Sequence, residues 1–245
     1  MSAASDAFEK KVADGINKLK GYKAIRPSVG TAYSDVKITE NPIDKKMYWL
    51  EVKMNHTDNL SNPRVFYHSG KWQTTYKTPA AAATVNVLNK SPQARAFIFA
   101  IAKLANIPVT KIKIPTTKSG LEEEGAVPLE VMKGYFNKVY GSGINRYIAS
   151  QEDYDLGKLV TEHYTIGKAE PAYYMQAADD FYLISSKNPL KLDRGIPVLS
   201  GKGDFKVRIS TRSEFYEVQA EIKIKSMPDS NYSVLLGTKK INPLA

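Results

Sequence analysis

The sequence contains no cysteine, which excludes disulfide bonds and thiolate zinc sites. It has three histidines, and because His56, His68 and His163 are scattered along the chain, they do not predict a histidine-based metal centre. Long apolar runs are also missing, since the longest, ARAFIFAIAKLANI, is interrupted by Lys103 and is too short to span a bilayer. The N-terminal segment lacks the apolar core of a signal peptide. We therefore expect a soluble, cytoplasmic protein without a membrane partner.

Several signatures of nucleotide and ester chemistry are absent as well. The chain has no Walker loop, no Rossmann glycine pattern and no Gly-x-Ser-x-Gly elbow. What it has instead is positive charge: 35 lysines and arginines stand against 25 acids, for a net charge of +10. Such a surplus favours an anionic partner such as nucleic acid or a phospholipid surface, although a solubilising surface charge is the alternative.

The order of predicted elements indicates an α/β (α+β) protein. A helix with Ser5 as its N-cap is predicted up to Gly21, followed by a short strand and two hairpins. Further helical patterns lie over 78–90, 91–107, 127–141 and 150–164. From residue 171 onward the pattern changes to strands, over 172–177, 180–185, 204–212, 215–226 and 232–237. We expect a core domain over 1–170 and a C-terminal β-rich lobe over 171–245, which can be continuous with that core.

The first hairpin, YSDVKITENPIDKKMYWLEVKM, concentrates charge in an alternating pattern. Successive side chains of a strand point to opposite faces, so Glu51 and Lys53 share one face while Val52 points into the core. A turn through Asn41 brings the first strand, headed by Asp35, back beside them. The pattern therefore predicts two carboxylates and an ammonium group that converge on one side of the hairpin.

An Asp in SDVKI followed across a turn by LEVKM resembles the PD-(D/E)XK nuclease superfamily, which has the restriction-endonuclease-like fold. The resemblance implies an αβββαβ core, matched in element order by about the first 110 residues, and a DNA phosphodiester as substrate. The proline that often precedes the Asp in that family is replaced by Ser34. The resemblance also implies that Asp35, Glu51 and the carbonyl of Val52 bind Mg²⁺, with Mn²⁺ able to substitute for it.

These residue types suit phosphodiester hydrolysis. The reaction needs an attacking hydroxide and stabilisation of charge on the phosphoryl and leaving oxygens, and a divalent ion can supply both. Mg²⁺ is usually held by one or two carboxylates together with water and substrate phosphate. Lys53 would lower the pKa of the attacking water or steady the developing charge.

Other residues are weaker candidates for the same site. Many members of the superfamily carry an acid on the helix before the strands, which points to Glu9 as a further catalytic residue; an exposed acid favoured by the helix dipole is the alternative. Some relatives place a polar residue near the metal on the third strand, which points to Gln73.

A second Asp and Glu-x-Lys combination lies near the C-terminus, in Asp204, Glu221 and Lys223. The nuclease core needs a helix before its strands and a helix with another strand after them, and only the N-terminal copy has these. We therefore place the site at the first copy. An ordinary amphipathic hairpin with its charges on the solvent-exposed face remains the non-catalytic alternative.

The second hairpin mixes cations with aromatic residues, as phosphate neutralisation and base stacking require. Its predicted nucleic-acid-binding residues are Arg64, Lys71, Trp72 and Lys77. The aromatic residues would equally serve as core, Trp72 in particular. The strands FKVRISTR and EIKIKS alternate cationic with apolar residues, so each would present a basic face to a phosphate backbone or to solvent.

The sequence thus predicts a Mg²⁺-dependent DNA endonuclease. A non-catalytic basic nucleic-acid-binding or assembly protein and an RNA-cleaving relative stay open as alternatives. Restriction, homing, repair and phage DNA processing all use the fold, so the resemblance does not choose among them. A homodimer is compatible with it, because cutting both strands often needs two sites.

Overall fold

The structure is a computed structural model that describes residues 3–27, 33–57, 59–141, 146–224 and 229–245. Helices and strands are mixed along the chain, which confirms the expected α/β class. In chain order the elements are α1 (Ala3–Asn17), β1 (Lys23–Ile25), β2 (Val36–Glu40), β3 (Tyr48–Lys53), β4 (Asn59–Ser61), β5 (Val65–His68), β6 (Lys71–Thr74), α2 (Pro79–Lys90), α3 (Pro92–Ala105), α4 (Lys118–Leu121), α5 (Leu129–Tyr140), β7 (Tyr147–Asp155), α6 (Leu156–Thr165), β8 (Ala172–Ala177), β9 (Asp180–Leu183), β10 (Lys202–Thr211) and β11 (Tyr216–Ile224).

Contacts divide the chain into two compact units at positions other than residue 170. Unit 1 comprises 1–58, 155–202 and 224–245, whereas unit 2 comprises 59–154 and 203–223. The segment expected to form one C-terminal lobe is therefore shared between them: β8 and β9 belong to unit 1, and most of β10 and β11 to unit 2. Within the described ranges, none of the helices combines the length and apolar character needed to cross a bilayer.

Unit 1 is built on a five-stranded sheet in the order β1-β2-β3-β8-β9. Its neighbouring strands are antiparallel except for β3 and β8, which run parallel with Leu50 opposite Tyr174. Parallel neighbours need a crossover connection, and the chain returns to β8 through α6. Five of the six residues of β3 are buried, as expected for a central strand covered on both faces.

The core of unit 1 joins α1 to one face of this sheet. Val12 and Ile16 of the helix are fully buried with Ile38 of β2 and with Leu50 and Val52 of β3. The predicted alternation is therefore confirmed for Leu50 and Val52, which point into apolar surroundings. Their neighbours Glu51 and Lys53 point to the other face of the strand.

Unit 2 contains a four-stranded sheet, β4-β11-β10-β7, and the β5–β6 hairpin. The hairpin turns at Ser69 and Gly70, as predicted, and both residues have positive φ. Helices α2 and α3 begin where the sequence predicts them, because the side chains of Thr78 and Ser91 accept hydrogen bonds from the first helical turn. The two helices lie in unit 2, whereas the helix and strand that follow β3 in the unit 1 sheet are α6 and β8.

Two predictions of secondary structure are wrong. The helix expected over 150–164 begins only at Leu156, after strand β7, because Asp153 has a φ of +51° and the side chain of Asp155 caps the helix at the Lys158 amide. The strand expected over 232–237 is an isolated bridge from Tyr232 to Ile241 within an irregular segment.

Two helical glycines give a matched test of how α1 is packed. A Cβ at Gly15 would lie 2.1 Å from the carbonyl oxygen of Val234, whereas a Cβ at Gly134 in α5 would meet nothing within 4 Å. We expect Gly15→Ala to lower the free energy of unfolding by about 1–3 kcal/mol, as overpacking does. Gly134→Ala should raise it by about 0.5–1 kcal/mol, because alanine is the better helix former. Thermal unfolding followed by circular dichroism measures both, and equal shifts of the same sign would contradict the packing of α1 against Val234.

Candidate active site

The β2–β3 hairpin brings together the three residues predicted to form the site. Val36 pairs with Leu50 in the antiparallel ladder, so Asp35 and Glu51 are the next residues on the two strands. The Val52 amide donates to Asp35 Oδ2 at 2.9 Å. Lys53 Nζ donates to Glu51 Oε1 at 2.6 Å. Two carboxylates and one ammonium group therefore meet at the end of the hairpin.

Burial leaves part of this cluster without a protein partner. Glu51 is 2% exposed, as is Ser34, the residue in the position of the motif's proline. Within the described residues, Glu51 Oε2 and Ser34 Oγ are both buried and have no hydrogen-bond partner of good geometry, although the nearby Ser34 hydroxyl helps to lower the pKa of Glu51. A buried acceptor without a partner carries a desolvation cost of about 1–3 kcal/mol or more for a charged group. Such an oxygen points to a ligand that the protein itself does not supply.

The charges of the cluster perturb one another strongly. Burial and then the charge of Glu51 raise the pKa of Asp35 to about 7. Burial opposes ionisation of Glu51 too, but the nearby Lys53 and Lys168 ammonium groups prevail and lower its pKa. The pKa of Lys53 lies well above its ordinary value, because Glu51 outweighs the effect of burial. Glu51 and Lys53 are therefore charged at neutral pH, while Asp35 is close to its midpoint.

Helix α6 and the chain after it supply neighbours that the sequence reading missed. The Lys53 and Lys168 ammonium groups lie 5.7 and 5.5 Å from the centroid of the Tyr164 ring. His163 is buried, and burial together with the charge of Lys168 lowers its pKa to about 4. The neutral imidazole of His163 and the phenol of Tyr164 therefore lie on one side of the site. A His-Tyr pair near the end of a predicted helix is a common pattern, so the sequence alone does not predict that His163 and Tyr164 lie at the site.

Glu9 is not the exposed acid considered as an alternative. It is 4% exposed, accepts from Ser5 Oγ at 3.0 Å, and forms an ion pair with Arg26, which also pairs with Asp6. Its charge contributes to the raised pKa of Asp35. The structure therefore places a third carboxylate, which shares Arg26 with Asp6, within electrostatic range of the site.

The second copy of the motif lies in unit 2 and is differently engaged. The Tyr147 hydroxyl donates to Glu221 Oε2 at 2.5 Å. Burial and then this hydrogen bond raise the pKa of Tyr147 to about 12. Lys223 is exposed. Glu221 and Glu51 thus each accept from one protein donor, but only for Glu51 is the second oxygen found buried without a hydrogen-bond partner among the described residues.

The predicted nucleic-acid-binding residues of the second hairpin are in unit 2. Arg64, Lys71 and Lys77 are exposed. Trp72 is 2% exposed and packs edge-on against Tyr67 at 5.4 Å, so it is a core residue, the alternative considered for it. Gln73, the weak metal-site candidate, is also in unit 2, where its amide donates to the His68 carbonyl.

Neither a cluster of metal ligands in the described residues nor a known relative assigns a function to the site. Within the part of the chain that the structure describes, no group of three or more His, Cys, Asp or Glu side chains is arranged to hold a metal ion. Comparison with protein-family models, with curated proteins and with solved structures finds no match to the chain. Any assignment of function therefore rests on the geometry and electrostatics of the site.

The raised pKa of Asp35 predicts a pH-dependent cost to folding. The unfolded chain loses this proton near pH 4 and the folded protein near pH 7, so Asp35 destabilises the wild type progressively between those values. Asp35→Asn keeps an acceptor for the Val52 amide and removes the cost. Relative to wild type in EDTA, we expect it to gain on the order of 2–4 kcal/mol between pH 4.5 and pH 8, measured by urea unfolding.

Comparing the two proteins at each pH cancels the other titrating groups. The lowered pKa of His163 gives stability that is lost as pH falls from about 6.5 to about 4, in both proteins alike. The lowered pKa of Glu51 acts only below about pH 4.5. A difference between variant and wild type that does not change with pH would contradict the burial of Asp35 beside Glu51.

Proposed function

We propose that this chain is a Mg²⁺-dependent nuclease that hydrolyses DNA phosphodiester bonds at the Asp35–Glu51–Lys53 cluster. The observation that carries the proposal is the buried Oε2 of Glu51, which has no hydrogen-bond partner among the described residues and lies next to a second carboxylate whose pKa is raised to about 7. Asp35 is half-buried beside the buried Glu51, and among the described residues only the Lys53 ammonium group is hydrogen-bonded to Glu51, so one more cation would stabilise both carboxylates. Structural ion pairs in proteins are normally satisfied more completely.

The residues fit a hard divalent ion. Asp35, Glu51 and the carbonyl of Val52 would hold it, which agrees with the one or two carboxylates by which Mg²⁺ is usually bound. A bound cation would favour ionisation of Asp35 and give Glu51 Oε2 the partner it lacks. When bound, the ion supplies a nucleophile at neutral pH and neutralises charge on the phosphoryl group.

Lys53 would act on the attacking water. Its ammonium group is held by Glu51 Oε1 at 2.6 Å and lies over the Tyr164 ring, so its position is fixed before substrate arrives. Because its pKa is raised well above the ordinary value, it is a permanent cation that steadies developing negative charge rather than a base. Glu9, bound to Arg26, would assist from α1 by adding to the negative potential at the metal position.

The topology of unit 1 supports the proposal. The chain first forms α1, β1, β2 and β3, and after α6 it adds β8 to the same sheet. Strands β3 and β8 run parallel. This is the αβββαβ order that the resemblance to PD-(D/E)XK nucleases implies. The chain of unit 2 enters between β3 and α6. The first 110 residues therefore contain only the first half of the core.

Unit 2 would provide cationic surface for the nucleic acid. Besides the exposed Arg64, Lys71 and Lys77, the half-buried Lys206 and Arg208 lie on the face of strand β10 opposite its buried residues. The net charge of +10 would draw a polyanion to the protein at low salt.

A cleavage assay with matched variants tests the proposal. Wild-type protein is incubated with plasmid, single-stranded DNA and RNA in Mg²⁺, Mn²⁺ or EDTA, and we expect DNA cleavage with either metal and none in EDTA. Lys53→Ala should lower the rate at least about a hundredfold, because it removes charge stabilisation at the reacting phosphate. Lys223→Ala, the equivalent change in the second motif, should cut like wild type. Cleavage by Lys53→Ala at the wild-type rate would reject the site.

The other functions have their own outcomes in the same assay. Retardation of DNA without cleavage under every metal condition would show a binding protein rather than a nuclease. Cleavage confined to RNA would make the chain an RNA-cutting relative.

Metal binding has a readout that is independent of activity. At a metal concentration ten times the dissociation constant, binding adds about 1.4 kcal/mol of stability, which corresponds to a few degrees in Tm for a chain of this size. We expect Mg²⁺ and Mn²⁺ to raise the Tm of wild type at pH 7.5 and of Glu221→Gln, but not of Asp35→Asn. An equal rise in all three proteins would place the metal elsewhere.

A further inference from the structure

A second cluster of ionisable groups lies in unit 1, at the end of β3. His56 belongs to the exposed segment that follows Lys53, and its side chain is 48% exposed. Its Nε2 lies 2.8 Å from Asp180 Oδ2. The Asp180 side chain is only 4% exposed. An exposed imidazole is thus anchored by a buried carboxylate.

The remaining contacts of Asp180 fix the orientation of the ring. Its Oδ1 accepts from the Ser230 amide at 3.0 Å and from the Lys240 ammonium group, so only Oδ2 is left to face the imidazole. The Tyr182 hydroxyl lies 3.4 Å from the same ring nitrogen, and the two rings meet edge to face. Because Nε2 is directed at these groups, the opposite edge of the ring, with Nδ1, is directed away from them.

The cluster lies at the same edge of the sheet as the candidate active site. The amide of Ala178, two residues before Asp180, donates to the Lys53 carbonyl at 2.8 Å. His56 is three residues beyond Lys53, so their Cα atoms are at most roughly 11 Å apart. A nucleic-acid strand carries one phosphate per nucleotide. If one phosphate lies at Lys53, the next phosphate along the strand therefore lies within roughly 11 Å of it, the same upper limit that applies to the distance between Lys53 and His56.

We infer that His56 is a phosphate-contacting residue for the nucleic-acid strand, oriented by Asp180; the inference rests on the proposed function. In its protonated form, paired with Asp180, the imidazolium donates Nδ1–H to a non-bridging phosphate oxygen. No covalent bond forms or breaks. The charged and titratable groups that face the ring are Asp179, Asp180, Tyr182 and Lys240. Asp180 is a positioning residue, because it acts through His56.

The test measures DNA affinity by fluorescence anisotropy at pH 6, with a labelled 20-base-pair duplex and Ca²⁺ in place of Mg²⁺. We expect wild type to bind about five- to tenfold more tightly than His56→Ala and His56→Gln. His56→Gln keeps a donor for Asp180 and therefore guards against an effect of folding alone. His68→Ala, which removes a histidine from unit 2, is the matched control and should behave like wild type.

Nuclear magnetic resonance supplies a second readout, since the chain has only three histidines whose imidazole signals must be followed. Adding the duplex at pH 6 should shift the His56 signals in wild type. Affinity of His56→Gln equal to wild type at pH 6, or unmoved His56 signals in a protein that binds the duplex, would overturn this inference and leave the nuclease proposal standing. A wild-type protein that binds no nucleic acid would overturn both.

Discussion

The crowding of the buried Glu51 and the half-buried Asp35, with only the Lys53 ammonium group in hydrogen-bond contact with Glu51 among the described residues, is the constraint on which the site depends. Asp35 and Glu51 stand next to each other at the end of the β2–β3 hairpin, and Lys53 satisfies only one oxygen of Glu51. Removing charges from water is costly, and apolar residues of similar volume often replace a buried ion pair without loss of stability. An arrangement that leaves one oxygen unpartnered and one acid near its midpoint at neutral pH is therefore poor as a structural device. It is a suitable arrangement for holding a cation that comes from outside.

The sequence predicts the parts of the fold that are encoded locally. Alternation in LEVKM assigns Glu51 and Lys53 to one face, and Thr78 and Ser91 followed by proline mark the starts of two helices, because these signals act over a few residues. The pairing of β3 with β8 joins residues more than a hundred positions apart, for which no local signal exists. For the same reason the sequence predicts helices α2 and α3 as part of one core with β2 and β3, whereas they belong to unit 2.

The residues of the candidate site likewise fall into those that a local pattern predicts and those that only the fold brings close. Asp35, Glu51 and Lys53 follow from the hairpin pattern, whereas His163, Tyr164 and Lys168 come from the crossover connection that leads to β8. Their approach could not be derived from spacing. Glu9 did carry a signal: together with Val12, Ala13 and Ile16 it occupies positions i, i+3, i+4 and i+7 of α1, the stripe that faces the core. An acid on a buried stripe indicates a partner, and Arg26 is that partner.

The chain passes between the two units at four points, after residues 58, 154, 202 and 223. During synthesis on the ribosome, β3 emerges long before β8. The edge of β3 that pairs with β8 therefore stays unpaired while about a hundred residues of unit 2 are synthesised. Neither unit corresponds to a single contiguous stretch of the gene. A truncation after residue 58, 154 or 202 would consequently remove strands from both sheets or leave one of them incomplete, so separating the two units would require rejoining the chain in a different order.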